Sequence, residues 1–492
     1  MSEDGGKKPN ILYIMTDDHG TGGLSCYGSK VNQTPNMDRI ANEGMRLDNC
    51  YVTYSLCSPS RAAILTGKYA HKNGQTSIGG NVFDGSQQTF PSLLRGAGFE
   101  TAIIGKWHLH CVPDWFDYYS VMWQQGSYFD PKFIEESEQG PVWKANTGYS
   151  SDLVVDKCLD WLDTKRNTEK PFMLLCHFKS PHYNWEPDEK HQSMYEDLTM
   201  PEPESFDHTF GSPVPPERLQ VKLETVHEQW KITHWEDMPK GMSPQEQKKW
   251  NYQRFLKDYL RCIASVDDNI GRLLDYLDEQ GLTENTVVVY TSDNGMFQGE
   301  HGWVDKKMMY EESLRVPFLI RYPKLISPGT TSNGLVTNCD YAPTFLELAG
   351  EEVPEDIQGT SFVRLLDGDV PEDWRSVFYY QHFDTSPDGE LANCGVRMQE
   401  FKLIWYNHNF DHCQLFDLRK DPYEMNDVYG DSEYAPKAEE MRSLLHRERE
   451  RIGLTDEVEE RIFSGEGSGD ARRQIGEIVG MIDANTARLQ GN

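Results

Sequence analysis

The chain reads as an α/β protein with a mostly parallel central sheet flanked by helices, followed by a smaller C-terminal α+β subdomain containing an antiparallel sheet. Two textures in the sequence predict this. Short apolar, β-branched runs alternate with longer amphipathic stretches through the first 370 residues, the pattern of strands joined by helical crossovers. Beyond about residue 370, short strands follow one another with turns between them, and a polar helical tail starts near residue 435. A chain of 492 residues also exceeds what one hydrophobic core organises, so the expected division is 1–370 and 371–492.

Taken in order, Asn10–Met15 is a buried-strand run that ends in Thr16, Asp17 and Asp18. Thr34–Gly44 carries a capping residue, an early Pro and a closing Gly, and so reads as a helix. Thr101–Ile104, Phe172–Cys176 and Thr286–Tyr290 read as further strands, separated by helical stretches at 150–164 and 245–280. The segment 185–245, rich in Pro, Glu and His, reads as a long surface insertion near the site. In the C-terminal part, Ser376–Tyr380, Cys394–Arg397, Phe401–Trp405 and Gln414–Asp417 read as strands of the small sheet.

A net charge of −31 excludes the basic footprint that nucleic-acid binding needs. It also disfavours threading a long polyanion, and favours a short or sparsely charged substrate. The ten cysteines lie scattered, with no Cys-x-x-Cys pair, so neither a zinc site nor a disulfide framework is indicated. No stretch reaches the about 20 apolar residues of a membrane span. The N-terminus lacks an apolar signal region, so the sequence as written is expected to be cytoplasmic, and periplasmic or secreted where a leader has been removed.

Polar motifs fall just after the strands, where sheets of this kind gather ligands. Asp17, Asp18, Asp293 and Asn294 together supply three carboxylates and an amide oxygen, hard donors suited to Ca²⁺ or Mg²⁺ rather than zinc. Cys57, Pro59 and Arg61 form a Cys-x-Pro-x-Arg core that opens a small-residue helix. Lys106 and His108 stand in Gly105-Lys-Trp-His108, His182 closes Ser180-Pro-His182, and Lys306 lies four residues before Tyr310-Glu311. Singly, each has an ordinary explanation: turn or cap residues after a strand, a buried thiol, a solvated loop.

In this order and spacing the motifs resemble those of the sulfatase family, within the wider alkaline-phosphatase-like superfamily, over residues 9–350. Asp417–Asn426 is similar to the tail motif of bacterial members, which include carbohydrate sulfatases and arylsulfatases. The resemblance implies that a formylglycine-generating maturation enzyme oxidises Cys57 to formylglycine. One hydroxyl of the hydrated aldehyde would attack sulfur, and the other would lose its proton to expel sulfate. It further implies that Asp17, Asp18, Asp293 and Asn294 hold a divalent ion, calcium with magnesium as the alternative, which the group made from Cys57 also contacts. Lys106 would fix the hydrate and touch sulfate, His108 would take the hydrate proton, and His182 would protonate the leaving alkoxide. Lys306 would bind sulfate, with Arg61 adding positive charge.

Two departures from the family pattern mark this chain: His110 where relatives often carry Gly, and Tyr183-Asn-Trp-Glu-Pro187 after His182. The aromatic run Trp115–Phe129 resembles that of glycan-acting sulfatases, and His408, Asp411 and His412 lie in a loop able to reach the pocket. A sulfated mono- or oligosaccharide is the expected substrate. The alternatives are a broad arylsulfatase, a phosphonate or phosphate ester hydrolase of the same superfamily, and a noncatalytic calcium-dependent glycan binder in which Cys57 is never oxidised.

Overall fold

The computed structural model describes residues 7–210, 220–232, 234–235, 239–383, 392–406, 412–465 and 470–491. Ten strands form the large sheet: β1 (Asn10–Thr16), β2 (Met45–Leu47), β3 (Glu100–Lys106), β4 (Tyr118–Met122), β5 (Lys132–Glu135), β6 (Val142–Ala145), β7 (Phe172–His177), β8 (Thr286–Ser292), β9 (Phe318–Arg321) and β10 (Thr330–Ser332). Their spatial order is β10-β2-β9-β8-β1-β7-β3-β4-β5-β6. The central five, β8-β1-β7-β3-β4, are mutually parallel. Both flanks add antiparallel pairs, β8 with β9 on one side and the meander β4-β5-β6 on the other. The sheet is therefore mixed at its edges, where strands of three or four residues carry too little periodicity to read from sequence.

The alternation of side chains along β1 decides which helices cover which face. Leu12 and Ile14 pack with α1 (Pro35–Asn42), α3 (Ser150–Asp160) and the second half of α4 (Pro244–Glu279). Ile11, Tyr13 and Met15 pack on the other face, against α2 (Cys57–Thr66) and α5 (Tyr341–Leu348). Strands buried on both sides need such continuous apolar runs. The 36-residue α4 starts where Ser243 and Glu246 close a capping box with Pro244 in the first turn, which fixes its register.

Between β7 and α4 the chain leaves the sheet, and among the described residues of this excursion only Val221–Lys222 and Val226–Trp230 are a strand and a helix of any kind. After α5 comes the four-stranded antiparallel sheet β11 (Val377–His382), β12 (Asn393–Met398), β13 (Phe401–Tyr406) and β14 (His412–Asp417). The strands read from sequence are all present, with ends shifted by a residue or two. One face of this sheet packs against α6 (Ala435–Ile452) together with Tyr54, Leu56 and Ala63 around the start of α2. The other face packs on Met308, Met309 and Tyr310. The small sheet thus buttresses both the Cys57 segment and the Lys306 segment. After α7 (Asp456–Phe463), α8 (Ala471–Leu489) returns to the far edge of the large sheet, where Trp143 donates from its backbone N to Thr486 Oγ1 at 2.9 Å and from Nε1 to Asp483 Oδ1 at 2.9 Å. Among the described residues no helix is long and apolar enough to cross a membrane.

Candidate active site

The site is assembled by strand register. Parallel pairing of β1 with β8 sets Thr16 opposite Ser292, so Asp17-Asp18 and Asp293-Asn294 emerge side by side. Asp18 donates its backbone N to Asp293 Oδ1 at 3.2 Å, and carboxylate oxygens of Asp17, Asp18 and Asp293 lie within 4.8 Å of one another. Asp18 has φ 60°, a left-handed conformation of the kind that clusters at functional sites. Next along, β3 delivers Lys106 and β7 delivers His177, with Lys179 and His182 just beyond. Gly105 faces His177 in that register with φ 107°, and a Cβ there would meet His177 O at 1.9 Å, so only glycine admits this approach.

Helix α2 enters from the opposite face with Cys57 at its first turn, fully buried. The small residues of its first turns exist to be stitched down: Ser58 Oγ donates to His108 O at 2.7 Å, and Ser60 Oγ donates to Asp293 O at 2.6 Å. Arg61 donates from Nε to Asp293 Oδ2 at 2.9 Å, from Nη2 to Asp17 Oδ2 at 3.2 Å and from Nη1 to Lys106 O at 2.9 Å. Two nitrogens of its guanidinium therefore hold the two acidic strand ends, and the third holds the end of β3 at the Lys106 carbonyl. The Cys57 thiol donates to Asp17 Oδ1 at 3.4 Å, and Asn294 Nδ2 lies 3.7 Å from Sγ.

Lysines and histidines enclose this cluster. Lys306 Nζ sits 2.5 Å from Asp18 Oδ2, Lys106 Nζ contacts Asp17 Oδ2, and His182 Nε2 lies 3.5 Å from Asp18 Oδ2. Burial alone would raise Asp17, but Lys106, His182, Arg61 and Lys306 hold it well below the usual carboxylate range. Asp18 is pushed up to about 7 by burial, with Lys306 opposing and Asp17 and Asp293 adding to the rise. Burial and the Asp17 charge also raise Asp293. Two carboxylates reluctant to ionise beside a third signal a place short of positive charge. Asn294 Oδ1 is buried and accepts no hydrogen bond, while Nδ2 faces Asp18 Oδ1 at 3.2 Å and Asp293 Oδ1 at 2.9 Å. The donor set fits a hard divalent cation once that amide turns its oxygen inward.

His182 and His108 are both held well below the ordinary histidine range, first by burial and next by Lys106, and are therefore neutral in this arrangement. Tyr183 O accepts from His182 Nδ1 at 2.9 Å, which leaves Nε2 facing the cluster. His108 and His110 both have left-handed φ, 59° and 58°, and their rings meet edge to face at 5.6 Å. His412 is half-buried at the start of β14, beside Tyr406, whereas His408 and Asp411 lie outside the described residues.

Several residues at the site carried no signal in the sequence. Lys106 Nζ donates to Gln125 Oε1 at 2.5 Å, and Lys179 Nζ donates to Tyr183 O at 3.0 Å while lying 4.9 Å above the Tyr128 ring. Burial and Lys106 bring the Lys179 ammonium down to about 8. Tyr128 donates its hydroxyl to His182 O at 2.5 Å. Gln125 and Tyr128 belong to the aromatic run 115–129, whose spacing gave no reason to separate them from the core tryptophans around them. Lys179 stands only three residues before His182, and that proximity was the one available clue.

Comparison with known proteins agrees with this geometry. The sulfatase family model matches residues 9–351, and a model described as N-sulphoglucosamine sulphohydrolase, C-terminal, matches residues 299–451. The chain is 41% identical to an N-acetylglucosamine-6-O-sulfatase of Bacteroides thetaiotaomicron, over 94% of this chain and 90% of that protein. A solved structure of a protein in complex with its substrate D-glucosamine-2-N,6-O-disulfate superposes with a TM-score of 0.84 at 40% identity, covering 92% of this chain and 99% of that one. A phosphonate monoester hydrolase from Silicibacter pomeroyi shares the fold, with a TM-score of 0.71 at 20% identity over 90% of this chain and 96% of its own. The buried Cys57, the acidic strand ends and the ring of lysines are thus found in a chain that belongs to the sulfatase family and is a sulfuric ester hydrolase.

Proposed function

We propose that this sulfatase removes the 6-O-sulfate from an N-acetylglucosamine or related glucosamine residue, at a chain end or on a short oligosaccharide. The observation that carries the reading is one buried cluster. It places the Cys57 thiol 3.4 Å from Asp17, with Lys106, Lys306 and His182 around the same carboxylates, in a chain 41% identical to an N-acetylglucosamine-6-O-sulfatase.

In this reading Cys57 Sγ stands where an oxygen of the matured side chain would lie. Formylglycine, once made from Cys57, supplies a hydrated aldehyde whose hydroxyl is the nucleophile. Asp17, Asp18, Asp293 and Asn294 would hold Ca²⁺ or Mg²⁺, which supplies Lewis-acid stabilisation of negative charge on sulfuryl oxygens. Lys106 and Lys306 bind the sulfate oxygens, and Lys306 stays charged, since Asp18 first and then Cys57, Asp305 and Asp17 raise it well above its ordinary value despite burial. Arg61 acts through the carboxylates it holds and is a positioning residue. His108 accepts a proton at its ring as sulfate departs, which its neutral state allows. His182 donates from Nε2 to the sugar oxygen after picking up a proton, its orientation kept by the Nδ1 bond to Tyr183 O.

The test is sulfate release from 6-O-sulfated N-acetylglucosamine by protein whose Cys57 peptide is shown by intact mass to be oxidised, beside an aryl sulfate, an aryl phosphate and an aryl phosphonate with one leaving group. Sulfate release from the sugar, with sulfate far ahead of phosphate and phosphonate, is the expected result. Oxidised protein that is silent on every sulfated sugar overturns the substrate assignment. A preference for phosphonate favours the hydrolase alternative, and a Cys57 found only as thiol in its natural host favours a glycan binder.

A further inference from the structure

A large cavity among the described residues lies outside the cluster just described. It encloses about 720 Å³, within the range of about 300–1,000 Å³ typical of ligand pockets. One wall is a single stripe of α4: Trp250, Arg254, Lys257, Asp258 and Arg261 recur at spacings of three and four, so they share one helix face. Asp258 is the fixed point of that stripe. It accepts from Arg254 Nε at 2.9 Å, from Arg261 Nη1 at 2.8 Å and from Trp235 Nε1 at 3.0 Å, and His234, Arg254 and Arg261 keep it below the usual carboxylate range against burial. Both guanidinium groups are thereby held in place. Among the described residues, Lys257 Nζ donates to Glu196 O alone, at 3.1 Å.

The opposite wall ties the cavity to the site. Glu186 lies four residues past His182, and its carbonyl accepts from Tyr149 OH at 3.0 Å. Phe129, 42% exposed, packs edge-on to Tyr149 at 5.2 Å and directly follows Tyr128, whose hydroxyl holds the His182 carbonyl. The segment that presents His182 to a leaving group therefore continues into the cavity wall. Two rings, Phe129 and Trp250, offer faces for stacking, Glu186 offers a carboxylate acceptor for hydroxyls, and Arg254 and Lys257 offer cations. In a chain with 79 acidic and 48 basic residues, this cavity is balanced, with Arg254, Lys257 and Arg261 facing Glu186, Glu196 and Asp258, and so is less acidic than the average surface.

We propose that this cavity is a distal subsite that binds a further ring of an anionic oligosaccharide, its carboxylate or sulfate meeting Arg254 and Lys257, while the terminal sulfated sugar occupies the Cys57 cluster. This rests on the sugar-sulfate reading above. The matured, full-length enzyme is assayed on three substrates that share one terminal residue: 6-O-sulfated N-acetylglucosamine, a tetrasaccharide carrying that residue on a uronate-containing chain, and its counterpart with galactose in place of uronate. The expected result is a kcat/KM about tenfold higher on the uronate chain than on the monosaccharide, with the galactose chain between them. Arg254→Ala and Lys257→Gln should each remove most of that gain and leave the monosaccharide within about twofold. Lys257→Gln guards against a folding defect, because among the described residues Lys257 makes a single backbone hydrogen bond, and unchanged melting temperatures confirm it. No gain from chain length in the wild type, or equal losses on monosaccharide and tetrasaccharide in both variants, overturns the subsite while leaving the sulfatase reading intact. Silence of the oxidised wild type on all three overturns both.

Discussion

The sulfate end and the sugar end of this site are built differently. At the sulfate end, Asp17, Asp18, Asp293, Asn294, Lys106 and Cys57 are all buried and sit within a residue or two of a strand end or at a helix start. At the end proposed for the sugar, His182, Lys179, Tyr128 and Gln125 come from loops tied together by single hydrogen bonds. The first region gains precision from the sheet, because parallel register leaves no freedom in where two strand ends emerge. The second gains adaptability, since loops positioned by a rigid scaffold can change without disturbing it. In the function proposed above, chemistry belongs to the rigid half and choice of substrate to the other.

Replacing the nucleophile's precursor gives the largest effect expected of the rigid half. Cys57→Ala should abolish turnover while leaving the melting temperature close to that of the wild type, since among the described residues the thiol's hydrogen bonds are the long ones to Asp17 and Asn294. Activity of the alanine protein near that of the wild type would remove Cys57 from the mechanism.

Withdrawing the cation comes next. Asp18 is pushed up to about 7 by burial against Lys306, with Asp17 and Asp293 adding to the rise, compared with about 3.9 in an unfolded chain. A group whose folded value is raised contributes stability that is present below the unfolded value and lost as pH rises through the folded one. The chelated protein should therefore lose stability between about pH 4 and pH 7, and added Ca²⁺ should restore more at pH 8 than at pH 5.5. At a hundredfold excess over Kd the gain is about 3 kcal/mol, a few degrees for a chain of this size. Thermal scans with and without chelator at both pH values decide it, and equal gains at the two pH values would remove the carboxylate cluster as the binding site.

How much of this was legible in the sequence follows the same division. The strand at Asn10–Met15 and the helix at 245–280 were readable because long apolar runs and capped amphipathic repeats carry their own signal, and the acidic strand ends followed from them. The short strands at Met45–Leu47 and Thr330–Ser332, near one edge of the sheet, were not, because three residues pair only through neighbours far away in sequence. Lys306 was identifiable from its offset to Tyr310-Glu311, and the structure gives that offset a cause. Glu311 is held by Arg397 Nη2 at 3.1 Å and Lys402 Nζ at 3.0 Å from the small sheet, which anchors the segment that aims Lys306 at Asp18. Gln125 and Lys179 had no such offset, because their partners are set by tertiary packing alone.

At the sugar end, His182→Ala separates leaving-group protonation from the rest of the mechanism. A general acid contributes about 10²–10⁴-fold, and only to leaving groups that need a proton. The loss should fall in that range on 6-O-sulfated N-acetylglucosamine and be much smaller on an aryl sulfate. Because burial and Lys106 hold His182 well below the ordinary histidine range, its protonated form grows as pH falls. The ratio of wild-type to His182→Ala kcat/KM on the sugar should therefore rise toward acid pH. A ratio flat with pH, or equal losses on both substrates, would assign His182 to binding instead.

The smallest effect tests the hinge between the two regions. Tyr128 donates to His182 O at 2.5 Å and carries Lys179 above its ring. Tyr128→Phe keeps the ring and its packing, and removes one buried hydrogen bond at a cost of about 1 kcal/mol. If that bond serves to hold His182, the same change should lower kcat on the sugar substrate several-fold, leave the aryl sulfate alone, and have no further effect on turnover once His182 is already alanine. Kinetics of the two single variants and the double variant close the cycle. Additive losses would show that Tyr128 acts on the substrate or on Lys179 by a route independent of His182, and would place the boundary between the rigid and the adaptable half one residue shell nearer the sulfur.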